Sequence, residues 1–171
     1  MNKEEEIERL LEKVRAAEKG QKIDLSSGED LSVAVMNLIS IEEHLFFSNQ
    51  KTKDNKYIKL LEQIREMRKE LLGRLIKNPE GEEWCISKHL LAGSMRLMEV
   101  GTKSLTKGDK KEAEEYFQMA YNLYEVFWAL NLNLIEPSKL ETGADEDKES
   151  THSFMAKFGE IIKKAVDCCR E

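Results

Sequence analysis

Turn-forming residues are scarce in this chain. Two prolines and nine glycines punctuate 171 residues, whereas a β-sandwich or barrel of that length needs a turn signal about every ten residues. Cysteine is equally sparse. Of the three present, Cys168 and Cys169 are adjacent, so the count is odd and the spacing is poor for a disulfide framework. That usage fits a reducing compartment, and the expected location is cytoplasmic. No uninterrupted apolar run approaches the ~18–20 residues of a membrane span. The acidic opening Met1-Asn2-Lys3-Glu4-Glu5-Glu6 lacks the basic start and apolar stretch of a secretory leader. Neither a membrane nor a nucleic acid is therefore an expected partner. The formal net charge of −6 argues against a phosphate backbone as partner, although a local basic stripe stays open.

Motifs that carry chemistry are missing too. There is no Walker pattern and no G-x-G-x-x-G to cradle a phosphate. The two-fold Glu-x-x-His pattern of di-iron bundles is absent, since Ile41 and Ile86 stand three residues before His44 and His89, leaving at most one such motif in the chain. No arginine precedes a histidine by the four to six residues typical of helical ribonucleases. Cys85 and His89 sit on consecutive turns with no orienting third residue, which is too local for an orthodox cysteine–histidine nucleophile.

What the sequence does hold is helix-forming residues: Leu, Glu, Lys, Met and Ala dominate. At this length one domain can bury a continuous core. The periodicity predicts an all-α antiparallel bundle of about six helices. They fall at about 3–18, 28–50, 56–77, 82–105, 110–134 and 151–169. Ser27-Gly28-Glu29-Asp30 reads as an N-cap, the polar run Asn49–Asn55 as a hairpin turn, and Asn78-Pro79-Glu80-Gly81 as a stop. The helix at 82–105 has the widest apolar arc and is expected to be central. The helix after it carries the aromatic face Tyr116, Phe117, Leu123, Tyr124, Phe127 and Trp128. Residues 1–136 are read as the bundle domain and 137–150 as an acidic linker. Residues 151–171 are read as a C-terminal amphipathic helix that docks on the bundle or on a partner.

One stretch resembles a tetratricopeptide repeat. Gly101, Gly108, Ala113, Phe117 and Ala120 follow the spacing G-x6-G-x4-A-x3-F-x2-A. In such a hairpin Gly101 and Ala120 let two helices approach, Gly108 permits the turn and Phe117 fills the gap. Ser104 stands where the repeat usually has an aromatic, and Glu125 where a proline often follows. No second copy lies 34 residues away, where Met67 and Pro79 occupy the key places. The resemblance, over Leu97 to Ala120, implies one repeat-like hairpin built into an ordinary bundle. A binding surface that works as such repeats do is the alternative.

Polar residues that interrupt apolar faces are the candidate site. At ~100° per residue, Glu42 falls within the arc of Leu31, Val35, Leu38, Leu45 and Phe46. Arg68 falls among Leu61, Ile64, Leu71 and Leu75, with Arg65 at the edge. A lone buried charge costs several kcal/mol, so each needs a partner. A hairpin centred near Thr52 places Glu42 opposite Glu62 and within reach of Arg65, leaving Arg68 to another acid such as Glu99. Lys88, Arg96 and Glu99 share a stripe of the next helix. Glu42, Arg65, Arg68, Lys88, Arg96 and Glu99 thus form either structural ion pairs or a polar ligand pocket. Cys85 and His89, at i and i+4, are two candidate ligands for zinc or another transition metal. His44 is a distant third, on the polar side of its own helix. No cofactor is otherwise expected.

The leading reading is a non-enzymatic helical interaction or scaffold protein that self-associates, with a protein partner or a second copy as its target. Its expected contact surfaces are the aromatic face at 116–128 and the C-terminal helix. The alternative is a small-ligand or metal-binding bundle with its pocket between the helices at 28–50, 56–77 and 82–105.

Overall fold

A computed structural model describes residues 12, 16, 25–77, 79 and 81–132. Within them the protein is all-helical, with four α-helices: α1 (Leu25–Thr52), α2 (Lys56–Leu75), α3 (Glu83–Thr106) and α4 (Lys110–Asn131). Four of the six expected helices are therefore present, each within a few residues of its predicted bounds. Of the helix expected at 3–18 only residues 12 and 16 are described, both helical, and the helix expected at 151–169, the linker at 137–150 and the pair Cys168-Cys169 lie outside the described residues.

Local chemistry ends and starts each helix. Lys53 takes the left-handed conformation (φ 57°) and closes α1, its N–H reaching the Asn49 carbonyl at 2.7 Å. Asp54 then accepts from the Lys56 N–H at 2.9 Å, satisfying a donor that the first turn of α2 leaves over. At the second hairpin Gly108 has φ 87°, which glycine adopts without a Cβ penalty. Asp109 caps α4 by accepting from the Glu112 N–H at 3.0 Å. Ser27, expected as a cap, is already helical.

The helices pair as two antiparallel hairpins, α1 with α2 and α3 with α4, and α1 also packs on α3. The core is built at one end. It takes Val35 and Met36 from early α1, and Leu72, Leu75 and Ile76 from the end of α2. Leu91 comes from early α3, and Tyr124, Phe127, Trp128, Ala129 and Leu132 come from the end of α4 and beyond. Since those four helix ends converge there, both hairpin turns lie at the opposite end.

The aromatic face of α4 is spent on this core. Phe127 is wholly buried and Trp128 nearly so, and their rings meet edge to face at 5.3 Å between centroids. That corrects the expectation of an aromatic contact surface for Tyr124, Phe127 and Trp128, which hold the fold together, while Tyr116 and Phe117 are half-buried.

Small residues let α3 and α4 close up. Ser87, Ser94 and Gly101, seven residues apart, are buried along one face of α3, with Ser104 beside them. Ala113 and Ala120 answer from α4. A Cβ placed on Gly101 would sit 2.7 Å from Cε1 of Phe117 and 3.2 Å from the Ala113 carbonyl oxygen. Ser94 Oγ turns its polarity to use, donating to the Ala120 carbonyl across the interface at 2.8 Å.

Candidate functional site

α1 supplies the acids. Glu42 and Glu43 are consecutive and so project about 100° apart, one towards α2 and the other towards α3. Arg68 of α2 meets Glu42 in a fork, with Nε 2.8 Å from Oε1 and Nη2 3.3 Å from Oε2. Its side chain is 5% exposed and that of Glu42 is 17%. Two-point geometry of this kind is what makes a desolvated pair tenable.

This pairing corrects the expected one. Glu42 meets Arg68, while Arg65 is exposed to solvent. The cause is register. α1 runs on to Thr52 and the turn occupies Lys53–Asn55, so the hairpin centre moves from Thr52 to Asp54. Glu42 and Arg68 lie twelve and fourteen residues from that centre.

Glu43 takes part in a second, half-exposed network. Arg96 of α3 donates to Glu43 through one nitrogen and to Glu99, one turn along its own helix, through another. Glu99 is thus engaged by Arg96 and not by Arg68. The two ion pairs hold α1 against both neighbours and consume four of the six candidate pocket residues. Lys88 is partly buried on α3, but the structure does not bring it into either pairing.

The candidate metal ligands do not converge. Cys85 and His89 are both exposed on α3, and His44 is exposed on α1. Among the described residues no group of three or more histidine, cysteine or carboxylate side chains is placed to hold a metal ion.

A third polar cluster was not foreseen. Ser32 of α1 is fully buried, and its hydroxyl donates to the Glu29 carbonyl at 2.7 Å. The 2.7 Å contact between Ser32 Oγ and Tyr124 Oη is therefore a donation from the phenol, because serine has one proton to give. Burial pushes the Tyr124 phenol above its ordinary pKa. Burial, with the nearby Glu125 and Glu29 charges, pushes Tyr121 up to about 12. Burial and the charge of Asp30 raise Glu29 as well. The Ser32–Tyr124 hydrogen bond ties α1 to α4. The sequence signal was faint: Ser32 lies one turn before Val35 and Met36 on the same arc.

Further out on α4, Glu114, Phe117, Gln118 and Tyr121 line a depression of about 550 Å³. It contains no nucleophile–base pair. Comparison with protein-family models, with curated proteins and with solved structures gives no match.

The remaining surface is unusual for its bulky apolar side chains. Among the described residues, Ser27–Thr52 is the one helix long and apolar enough, by length and composition, to cross a membrane. Its apolar run is interrupted by Glu42 and Glu43, and in the bundle it buries Val35 and Met36. The surplus is left uncovered at Val33, Ile41, Phe46 and Phe47, and Leu60, Met67, Met98, Leu105 and Met119 are exposed on the other helices.

Proposed function

We propose that the protein is a non-enzymatic helical interaction protein that self-associates along the outer edge of its first hairpin. The observation that carries this reading is the alignment of Ile41 and Met67. Each precedes one member of the Glu42–Arg68 pair by one residue. In an antiparallel hairpin both therefore point to the same side, away from Glu43 and α3. Leu60, two turns from Met67 on the same face of α2, extends the row. All three are 40–51% exposed.

A row of this kind is self-complementary under a two-fold axis, the commonest symmetry of soluble oligomers. Partly buried Ile64 and Leu71 lie alongside and widen the apolar strip beyond single scattered residues. Four of the six polar candidates favour this reading, because Glu42, Arg68, Arg96 and Glu99 are already occupied with one another or with Glu43.

A photoreactive side chain at position 67 tests the contact. Irradiation of the full chain should give a covalent dimer from position 67 and none from position 114, an exposed site on α4. Equal yields from both positions, or none from 67, would contradict the proposal.

A further inference from the structure

The end of the bundle that carries both turns has a chemistry of its own. The first turn and its flanks hold Lys51, Lys53, Lys56 and Lys59; the second hold Lys103, Lys107, Lys110 and Lys111. All eight are exposed, in a chain whose formal net charge is −6. Within Lys51–Lys59 and Lys103–Lys111 the only acids are Asp54 and Asp109, and both are engaged at helix starts. Lys56 pairs with Asp54 and Lys111 lies 4.0 Å from Glu115. Lys51, Lys59, Lys103, Lys107 and Lys110 form no ion pair among the described residues.

Bulky apolar side chains lie beside these lysines. Phe46 and Phe47 are 47% and 57% exposed, their rings edge to face at 5.2 Å, and Leu105, one residue from the end of α3, is 47% exposed. Phe47 lies five residues back from the end of α1, about 7.5 Å behind the turn at 1.5 Å per residue, so of these three Leu105 is the bulky apolar side chain level with the lysines. Lysine stems snorkel, laying methylenes along the apolar zone while the ammonium stays with the phosphates. Both segments contain lysine and no arginine, so they offer point charges and lack the planar fork that reads nucleic-acid phosphates and bases.

We infer that the turn end docks on an anionic phospholipid surface, with the eight lysines facing the headgroups and Leu105 entering the interface. Ile41 and Met67 each lie eleven residues from this end, whereas Leu60 adjoins Lys59, so substitution at Met67 is the one that separates the two contacts.

Flotation of the full chain with phosphatidylcholine vesicles, with and without phosphatidylserine, is the test. Binding should require phosphatidylserine and fall with salt. Each of Lys51→Gln and Lys107→Gln should weaken it about five-fold, following the ~1 kcal/mol per lysine at such surfaces. Leu105→Ser should weaken it further. Met67→Glu should leave it unchanged, which separates this test from that of self-association. Equal binding to neutral vesicles, no binding to either kind, or binding to single-stranded RNA without vesicle recruitment would overturn the inference.

Discussion

The guanidinium of Arg68 forks onto both carboxylate oxygens of Glu42, at 2.8 and 3.3 Å, across the α1–α2 interface. With Arg68 almost fully buried, this pair fixes the register of the hairpin. Removing one partner strands the other. Arg68→Met should lower unfolding free energy by about 3 kcal/mol, read from denaturant unfolding of the full chain. Replacing both residues with leucine should restore most of that loss. A single-variant loss below about 0.5 kcal/mol would mean that the pair behaves as a solvated one.

Gly101 and Gly73 should respond in opposite directions to the same substitution. A methyl at Gly101 meets the Phe117 ring at 2.7–2.8 Å, so Gly101→Ala should destabilise by about 1–3 kcal/mol through overpacking. Phe117→Leu should relieve part of it. At Gly73 the nearest atoms belong to Trp84 at 3.9 Å, and the position is exposed within α2. There alanine should stabilise by roughly 0.5–1 kcal/mol. Thermal melting of the two variants distinguishes them.

Tyr121 sets an alkaline limit. Its folded pKa is about 12 against 10.0 for the free side chain. The unfolded chain therefore loses this proton first, and stability is intact below about pH 10 and declines as pH rises from there towards 12. Ultraviolet titration should show phenols that ionise late, and Tyr121→Phe should remove part of that late step, the raised Tyr124 supplying the rest. Glu29, also raised, works the same way at acid pH. Its contribution is present below the ordinary carboxylate pKa of 4.5 and is lost as pH rises through the shifted value. Glu29→Gln should consequently be more stable than wild type at neutral pH and no more stable under acid conditions.

Asp109 is the clearest cap in the chain, its carboxylate 3.0 Å from the Glu112 N–H. Asp109→Ala should cost about 1 kcal/mol. Asp109→Asn should keep most of that stability, and parallel chemical denaturation of both variants checks it.

Much of this arrangement is legible in the chain. The four helices follow from apolar spacing and from Asn55, Pro79 and Gly108 between them, and the close approach at Gly101 follows from its small side chain facing Phe117. The partner of Glu42 was missed because register depends on where a turn is centred. Moving the centre moves the opposite residue twice as far, and the residue facing Glu42 shifts from Glu62 to Arg68, nearly two helical turns. The role of the α4 aromatics was missed for a different reason. Periodicity gives the apolar face of a helix and is silent on what covers it, and Tyr124, Phe127 and Trp128 are covered by the ends of α1 and α2. Ser87 and Ser94 continue the Gly101 row at seven-residue steps, a signal present in the sequence but disguised by their polarity.

The central claim is that the row Ile41, Leu60 and Met67 joins two copies of the chain. Sedimentation equilibrium of the full chain tests it most directly. The account predicts a species of twice the 19.8 kDa chain mass that reverts to one chain with Leu60→Glu and Met67→Glu. A single-chain mass at every concentration, or a dimer that survives both substitutions, would contradict it.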